Sequence, residues 1–266
     1  MTILVRSILY NAFLSGICRN QDPIFMIKRF TAIKSFIPQE TYSSIKRFRC
    51  VCFYIFAAVN KRLEDLIENT TMVFMRYGIK SVTMDDIARE LKISKKTLYQ
   101  YVKDKSDLVV KIMEAQCVTE KEVIAKAVPS AENAIDELMI ISEMLAKKLQ
   151  KMNPSIHYDL EKYYPDAWKV FIDHKEGFVL ECVKSNLERG VVEGIYRDDL
   201  NPEIISNLYI QKIDCIFDPA IFPIGKFTFY QVYLELMRYH ILGVANKQGV
   251  KYLTEKISKD HLLFNK

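Results

Sequence analysis

The sequence predicts an all-α protein on three observations. Glycine and proline are scarce, at 8 each in 266 residues. Apolar residues recur at helical spacing along most of the chain, and tight-turn dipeptides between alternating apolar runs are missing. Half of the residues are apolar, enough to bury a sizeable core.

The first stretch departs from that pattern. Residues 1–58 show no sustained period of 3.6 or 2 and few capping signals. Residues 1–59 hold eight basic side chains (Arg6, Arg19, Lys28, Arg29, Lys34, Lys46, Arg47, Arg49) against Asp22 and Glu40, a balance of +6. The rest of the chain has 30 basic against 31 acidic residues, so the overall +5 is no argument for a nucleic-acid partner; a local cluster is needed. The segment is expected to be a basic extension. Either it stems from a start codon placed too early, with the working chain opening near Val59, or it is a loose basic arm. The run CVCFYIFAAV at 50–59 follows KRFR in the order of a signal sequence, but it starts far from residue 1 and leads straight into a helix pattern, which argues against export.

No stretch approaches the ~18 apolar residues of a membrane span. Cys18, Cys50, Cys52, Cys117, Cys182 and Cys215 form no repeating framework, which fits a reducing, cytoplasmic setting. Cys50 and Cys52, with no partner pair and no nearby histidine, read as ordinary thiols, so neither a metal nor a cofactor is expected. The four histidines (His157, His174, His240, His261) are far apart. No H-E-x-x-H, G-x-S-x-G or glycine-rich phosphate loop occurs, which argues against an enzyme.

From Lys61 the pattern becomes regular: Leu63, Leu66, Ile67, Thr70, Val73, Phe74 and Tyr77 share one helical face, and Gly78 stands where a left-handed C-cap is wanted. In SVTMDDIAREL, Thr83 can cap a second helix and Asp86 can answer it, with Met84, Ile87, Ala88 and Leu91 on one face. After a short KIS turn, Ser94 can cap a third helix, KKTLYQYV, with Leu98 and Val102 inward and Lys95, Lys96, Thr97, Tyr99 and Gln100 outward. Two short helices joined by a tight turn make a helix-turn-helix. Here the charge is local: Lys92, Lys95, Lys96, Lys103 and Lys105 stand against Asp104 alone. A basic, tyrosine-bearing short helix suits the DNA major groove, with Lys and Tyr at phosphates and Thr and Gln at base edges. Taken singly, Tyr99 and Tyr101 would fit half-buried packing, and Lys95-Lys96 a solvated face.

These residues carry a resemblance. TMDDIARELKISKKTLYQYVKDKSDLV is similar to the TetR-type DNA-binding motif, T-x-x-x-I-A-x-x-x-G-V-S-x-x-x-x-Y-x-Y-F-x-x-K-x-x-L. The match runs over residues 60 to 118, with Thr83, Ile87, Ala88, Ser94, Leu98, Tyr99, Tyr101, Lys105 and Leu108 at the expected spacing. Lys92 replaces the usual turn glycine and Val102 the usual phenylalanine. A lysine in a left-handed turn costs about 1–2 kcal/mol, which a folded domain tolerates. The resemblance implies that Thr83 and Lys105 grip phosphates while Thr97, Tyr99 and Gln100 sit deepest in the groove, with Lys95, Lys96 and Tyr101 completing the DNA-binding set.

It also implies the architecture: a three-helix DNA-binding domain at 59–118, then a helical ligand-sensing and dimerisation domain at 119–266. The expected partners are a double-stranded, palindromic DNA operator, a second copy of the chain and a small-molecule effector, in a regulator that is a repressor by the family's usual mode. A protein-interaction adaptor with a repurposed helix-turn-helix is the alternative.

Further along, Asp104 can cap a long helix through Leu108, Ile112 and Ala115 to Val128, ended by Pro129. Helices are then expected over 131–152, 155–164 and from Pro165 to a stop at Arg189-Gly190. Asn201 and Pro202 open another, with Ile204, Ile205, Leu208, Ile213 and Ile216, before a loop at Pro219, Pro223 and Gly225. The last main helix carries Phe229, Val232, Tyr233, Leu236, Met237, His240 and Val244, a stripe wide enough for its own domain and a partner. The aromatic stretch IHYDLEKYYPDAWKVFIDHKEGF nominates His157, Tyr164, Trp168 and Phe171 for a ligand pocket, though the same spacing also fits plain core.

Overall fold

The computed structural model describes residues 61–260, and their regular structure is helical; among the described residues there are isolated bridges but no strand. The extension at 1–58, with Cys18, Cys50 and Cys52, lies outside the described residues, as does His261.

Helix α1 covers 61–77. It buries Leu66, Thr70, Val73 and Phe74 along the predicted face. Tyr77 leaves that face: it is exposed, with the Arg76 guanidinium 5.0 Å from its ring centre. Gly78 takes φ +82°, and its N–H donates to the Phe74 carbonyl at 2.8 Å, closing the helix in a conformation that costs an L-residue strain. Helices α2 (Met84–Glu90), α3 (Lys95–Leu98) and α4 (Lys105–Ser130) follow. The third is shorter than the eight-residue KKTLYQYV stretch. Tyr99 is already its C-cap, and Gln100 and Tyr101 turn back onto the Thr97 and Leu98 carbonyls.

Pro129 does not end α4 but lies inside its last turn. There it removes a single amide donor on an exposed surface, and the end is closed by Ser130 Oγ and the Ala131 N–H, both donating to the Ala127 carbonyl. Because Ala131 is spent as that C-cap, α5 (Ala134–Lys151) starts later than residue 131, on the Asn133 cap. Helix α6 spans Ser155–Tyr163 and α7 Pro165–His174; α7 widens into a π-helical segment at Lys175–Val179 and continues as α8, Leu180–Val192. The stop predicted at Arg189-Gly190 is not one. Gly190 stays helical because the Tyr196 ring packs where its Cβ would be, and the left-handed turn falls at Gly194, φ +71°.

Helix α9 (Pro202–Cys215) opens on the Asn201 cap and α10 (Phe229–Val244) on a Thr228–Gln231 capping box. A further helix, α11 (Lys247–Asp260), follows what the sequence presents as the last main one. Asn246 starts it by accepting from the Gln248 and Gly249 amides, and the same side chain donates to the Gly194 and Tyr196 carbonyls, docking α11 beneath the end of α8.

Buried apolar side chains form two clusters. One holds Ile135, Leu187, Ile210, Met237 and Ile241 among others, from α5 and α8 to α10. The other gathers α1 to α4 around Ile87, Leu98 and Leu108 and also takes Leu160, Tyr164 and Ala167 from α6 and α7.

Candidate nucleic-acid interface

The helix-turn-helix is set by short-range hydrogen bonds. Thr83 Oγ1 accepts from the Asp86 N–H at 3.1 Å while the Asp86 carboxylate accepts from the Thr83 N–H at 2.9 Å, a complete capping box. The Thr83 hydroxyl, which donates to Asp86 Oδ2 at 2.6 Å, and the Thr83 N–H together hold the Asp86 carboxyl below its ordinary pKa. Ser94 Oγ accepts from the Thr97 N–H at 3.0 Å, and Asp104 Oδ1 from the Asp107 N–H at 2.8 Å. Lys92 sits at φ +54°, the one positive value outside glycine among the described residues. It can do so because the turn is closed on both sides, Lys92 N–H to the Arg89 carbonyl and Ile93 N–H to that of Ala88. Fully buried Ile87 and Leu98 then fix α2 against α3.

This frame brings Lys96, Thr97, Tyr99 and Gln100 onto one outer edge. Lys96 and Gln100 are exposed, and Tyr99 is 44% exposed, high for a tyrosine in so well-packed a unit. Thr97 is half-buried, its hydroxyl 2.7 Å from Ser94 Oγ. The remaining candidates are engaged within the protein. Lys95 pairs with Asp85 at 2.7 Å, and that bond raises its pKa. Tyr101 is half-buried against the α1–α4 core. Lys105 Nζ lies 3.4 Å from the Lys80 carbonyl and 5.8 Å above the Tyr164 ring, and partial burial lowers its pKa. Exposed Lys80, Lys92 and Lys103 stand beside this set. Lys92 and Lys103 are within reach of the sequence argument through the charge cluster alone; Lys80 is outside it.

The unit is clamped from behind by α6. Asp159, 4% exposed, accepts from the Ile79 N–H at 3.1 Å, the Lys80 N–H at 2.9 Å and Ser155 Oγ at 3.2 Å. Asn153 adds its own N–H to the Met75 carbonyl and its side-chain amide to that of Arg76. A side chain at Gly78 would collide with Ser155.

Next to the clamp lies a cavity of about 240 Å³ between α4, α5, α7 and the π segment, reaching Phe74 and Ile79 at one end and Tyr209 and Tyr233 at the other. Of the four pocket candidates, His157, Trp168 and Phe171 line it. Tyr164 does not: it is buried in the α1–α4 core, turned there by its place between α6 and α7. His157 is stacked on Phe217 at 4.3 Å and meets Trp168 edge-on at 4.9 Å; burial pushes its pKa down to about 4, so it is neutral at pH 7. The cavity's other charged or titratable nitrogen- and carboxylate-bearing residues, Glu120, Lys148, His174 and Lys175, stand out in no sequence motif, since each comes from a helix face that otherwise looks like an ordinary amphipathic edge.

Among the helices that show apolar side chains to the outside are α9, with Ile204 and Leu208, and α10, with Tyr239 and Leu242. Of the α10 stripe predicted to serve both core and partner, Tyr233, Met237, His240 and Val244 are buried in the core, and Phe229, Val232 and Leu236 are half-buried against it.

Residues 66–112 match the family described as bacterial regulatory proteins, tetR family. The HTH-type transcriptional regulator YvaF of Bacillus subtilis is 28% identical over 144 residues, 52% of this chain and 73% of that protein. Among solved structures, a TetR-family transcriptional regulator from Agrobacterium tumefaciens superposes with a TM-score of 0.58 at 12% identity, covering 70% of this chain and all but 1% of its own, since 99% of it is matched. A transcriptional regulator from Saccharomonospora viridis in complex with choline gives 0.55 at 13% identity, over 71% and 100% of the two chains. With a capped helix-turn-helix on the family's motif, residues 66–112 carry a tetR-type DNA-binding unit, and the rest of the described chain shares the helical fold of these regulators.

Proposed function

We propose that the chain is a ligand-responsive repressor working in the cytoplasm as a homodimer on a palindromic operator. Residues 59–118 would read DNA and 119–266 would sense and dimerise. The observation that carries this is the outer edge of α3, where Lys96, Tyr99 and Gln100 project from a unit rigid enough to present them. Lys96 and Tyr99 contact the operator directly, and Thr97 and Gln100 read base edges. Thr83, Lys95, Tyr101 and Lys105 frame the docking, the two lysines after exchanging their internal partners for phosphate. The exposed Ile204, Leu208, Tyr239 and Leu242 supply the apolar core of a four-helix dimer contact.

The cavity is the effector site. It touches α1 and α4 directly, so a ligand that fits it in one arrangement of these helices selects that arrangement and changes the spacing of the two α3 helices, which must stand about 34 Å apart on a palindrome. That another helical regulator of this fold was solved with choline supports a small-molecule occupant without naming it.

The test is a titration of the full chain against the DNA flanking its own gene at two salt concentrations. Tight, salt-sensitive binding, weakened about 10–100-fold by Tyr99→Ala or Lys96→Glu with unchanged thermal melting, is expected. Equal weak binding to every fragment, unaffected by either substitution, would leave the motif as scaffold and favour a protein-interaction adaptor.

A further inference from the structure

Resting on the DNA-binding reading above, we propose that α6 adds a second set of backbone contacts to the helix-turn-helix: Lys80 and Lys162, seated around the Tyr163 ring, hold operator phosphates. A helix outside the DNA-reading unit then touches DNA itself. The patch is continuous with the edge already described. Lys80 stands three residues before Thr83, the cap of α2. Its carbonyl lies 3.4 Å from Lys105 Nζ at the start of α4, and that Nζ is 5.8 Å from the ring centre of Tyr164, the residue after Tyr163. The Lys80 side chain runs on to α6, where Nζ donates to the Tyr163 hydroxyl at 2.7 Å and lies 4.1 Å from its ring centre. Lys162 closes the row: its Nζ is 5.6 Å from the Tyr163 ring centre and 4.9 Å from that of Tyr158, to whose hydroxyl it donates. Lys80, Lys162, Tyr158 and Tyr163 are all exposed.

These two lysines differ from others on the surface in what holds them. Lys95, Lys147 and Lys169, exposed as they are, pair with Asp85, Glu143 and Asp173. Lys80 and Lys162 instead meet phenol oxygens and ring faces, which orient an ammonium group without cancelling its charge. The bond to Tyr158 raises the Lys162 pKa, so its charge persists at neutral pH. Asp159, the buried carboxylate of the same helix, already accepts from the Ile79 and Lys80 amides and from Ser155. Glu161 is exposed but stands about 160° round the helix axis from Tyr163. Cations that are held in place, left unneutralised and set beside a DNA-reading edge fit a polyanion. A phosphate oxygen is a charged acceptor and displaces a neutral phenol from the same ammonium group.

The test is the salt dependence of DNA binding by the full chain, measured between about 50 and 200 mM salt on the operator and on an unrelated duplex. Lys162→Gln and Lys80→Gln are each expected to flatten the slope of log affinity against log salt by about 0.9, and the double variant by about twice that. The preference for operator over unrelated DNA should stay the same, because phosphates carry no sequence. Lys162→Arg should keep the parent slope, and all variants the parent melting temperature, since both side chains are exposed. A parent slope in Lys162→Gln would overturn the inference and leave the patch to an acidic protein partner; a loss confined to the operator would overturn it in favour of base reading. Tyr99→Ala, run in parallel, separates the inference from the reading beneath it. Operator binding lost in Tyr99→Ala with the slope of Lys162→Gln unchanged removes the α6 contacts alone, whereas salt-sensitive binding indifferent to Tyr99→Ala removes the helix-turn-helix reading.

Discussion

The DNA-reading end of the chain and the part that encloses the cavity are specified by contacts of different range. In the former, α2, α3 and α4 are each started by a side chain and an amide three positions apart: Thr83 with Asp86, Ser94 with Thr97, Asp104 with Asp107. Beyond α4, helices are also capped locally, by Asn133, Asn201 and Thr228, but what places them against one another is distant in sequence. Lys175 reaches Asp214 across 39 positions, Asn186 the Ala134 carbonyl across 52, Asp159 the Ile79 amide across 80, and Lys256 Glu132 across 124. A surface made by local bonds is repeated wherever its motif is repeated. A cavity made by distant ones is free to change its chemistry while the fold stays the same.

That contrast can be broken most forcefully at Leu98, which is fully buried between α3 and its neighbours. Leu98→Ala is expected to cost about 2–5 kcal/mol, lowering the melting temperature by circular dichroism. Because the α1–α4 core includes Leu160, Tyr164 and Ala167, the loss should appear as one cooperative transition; a separate early melting of the helix-turn-helix would mean that the two regions are energetically independent.

Acid should find the second region first, since all four histidines lie beyond α4's start and none falls within 59–118. Burial holds His157 and His240 at about 4, against about 6.5 in an unfolded chain. Between those values the unfolded state binds more protons than the folded one. Their contribution is therefore complete above about pH 6.5 and drains away as pH falls towards 4, by about 3 kcal/mol at most for each ring. Urea denaturation at pH 7.5, 5.5 and 4.5 measures it, and His240→Gln should flatten the profile; an unchanged slope would mean the acid sensitivity resides in carboxylates.

The clamp sharpens the comparison, because there a long-range contact holds the locally built unit. Asp159→Ala strips the acceptor from two amides and a hydroxyl and should cost about 1–3 kcal/mol. Faster hydrogen exchange at Ile79 and Lys80 before any other part of α1 or α2 is the expected mark. The smallest effect belongs to Thr83→Ala, about 1 kcal/mol, confined to α2 and leaving exchange at the clamp unchanged.

The amino-acid sequence by itself determined the all-helical class, the caps of the helix-turn-helix, the strained turn at Lys92 and the outer edge of α3, because each depends on residues within a turn or two of each other. Where it misled, a distant partner was responsible. Gly190 looked like a stop and is instead the seat of the Tyr196 ring; Tyr164 looked like a pocket residue and is core. Helix α11 has a local start, the Asn246 cap, but what docks it is the same side chain bonding to carbonyls about fifty residues earlier. Only the tertiary structure decided that Lys175 meets Asp214 and which polar side chains line the cavity, since that outcome turns on which faces of α4, α5, α7 and α9 meet, and no local pattern encodes how four helices rotate to close around one space.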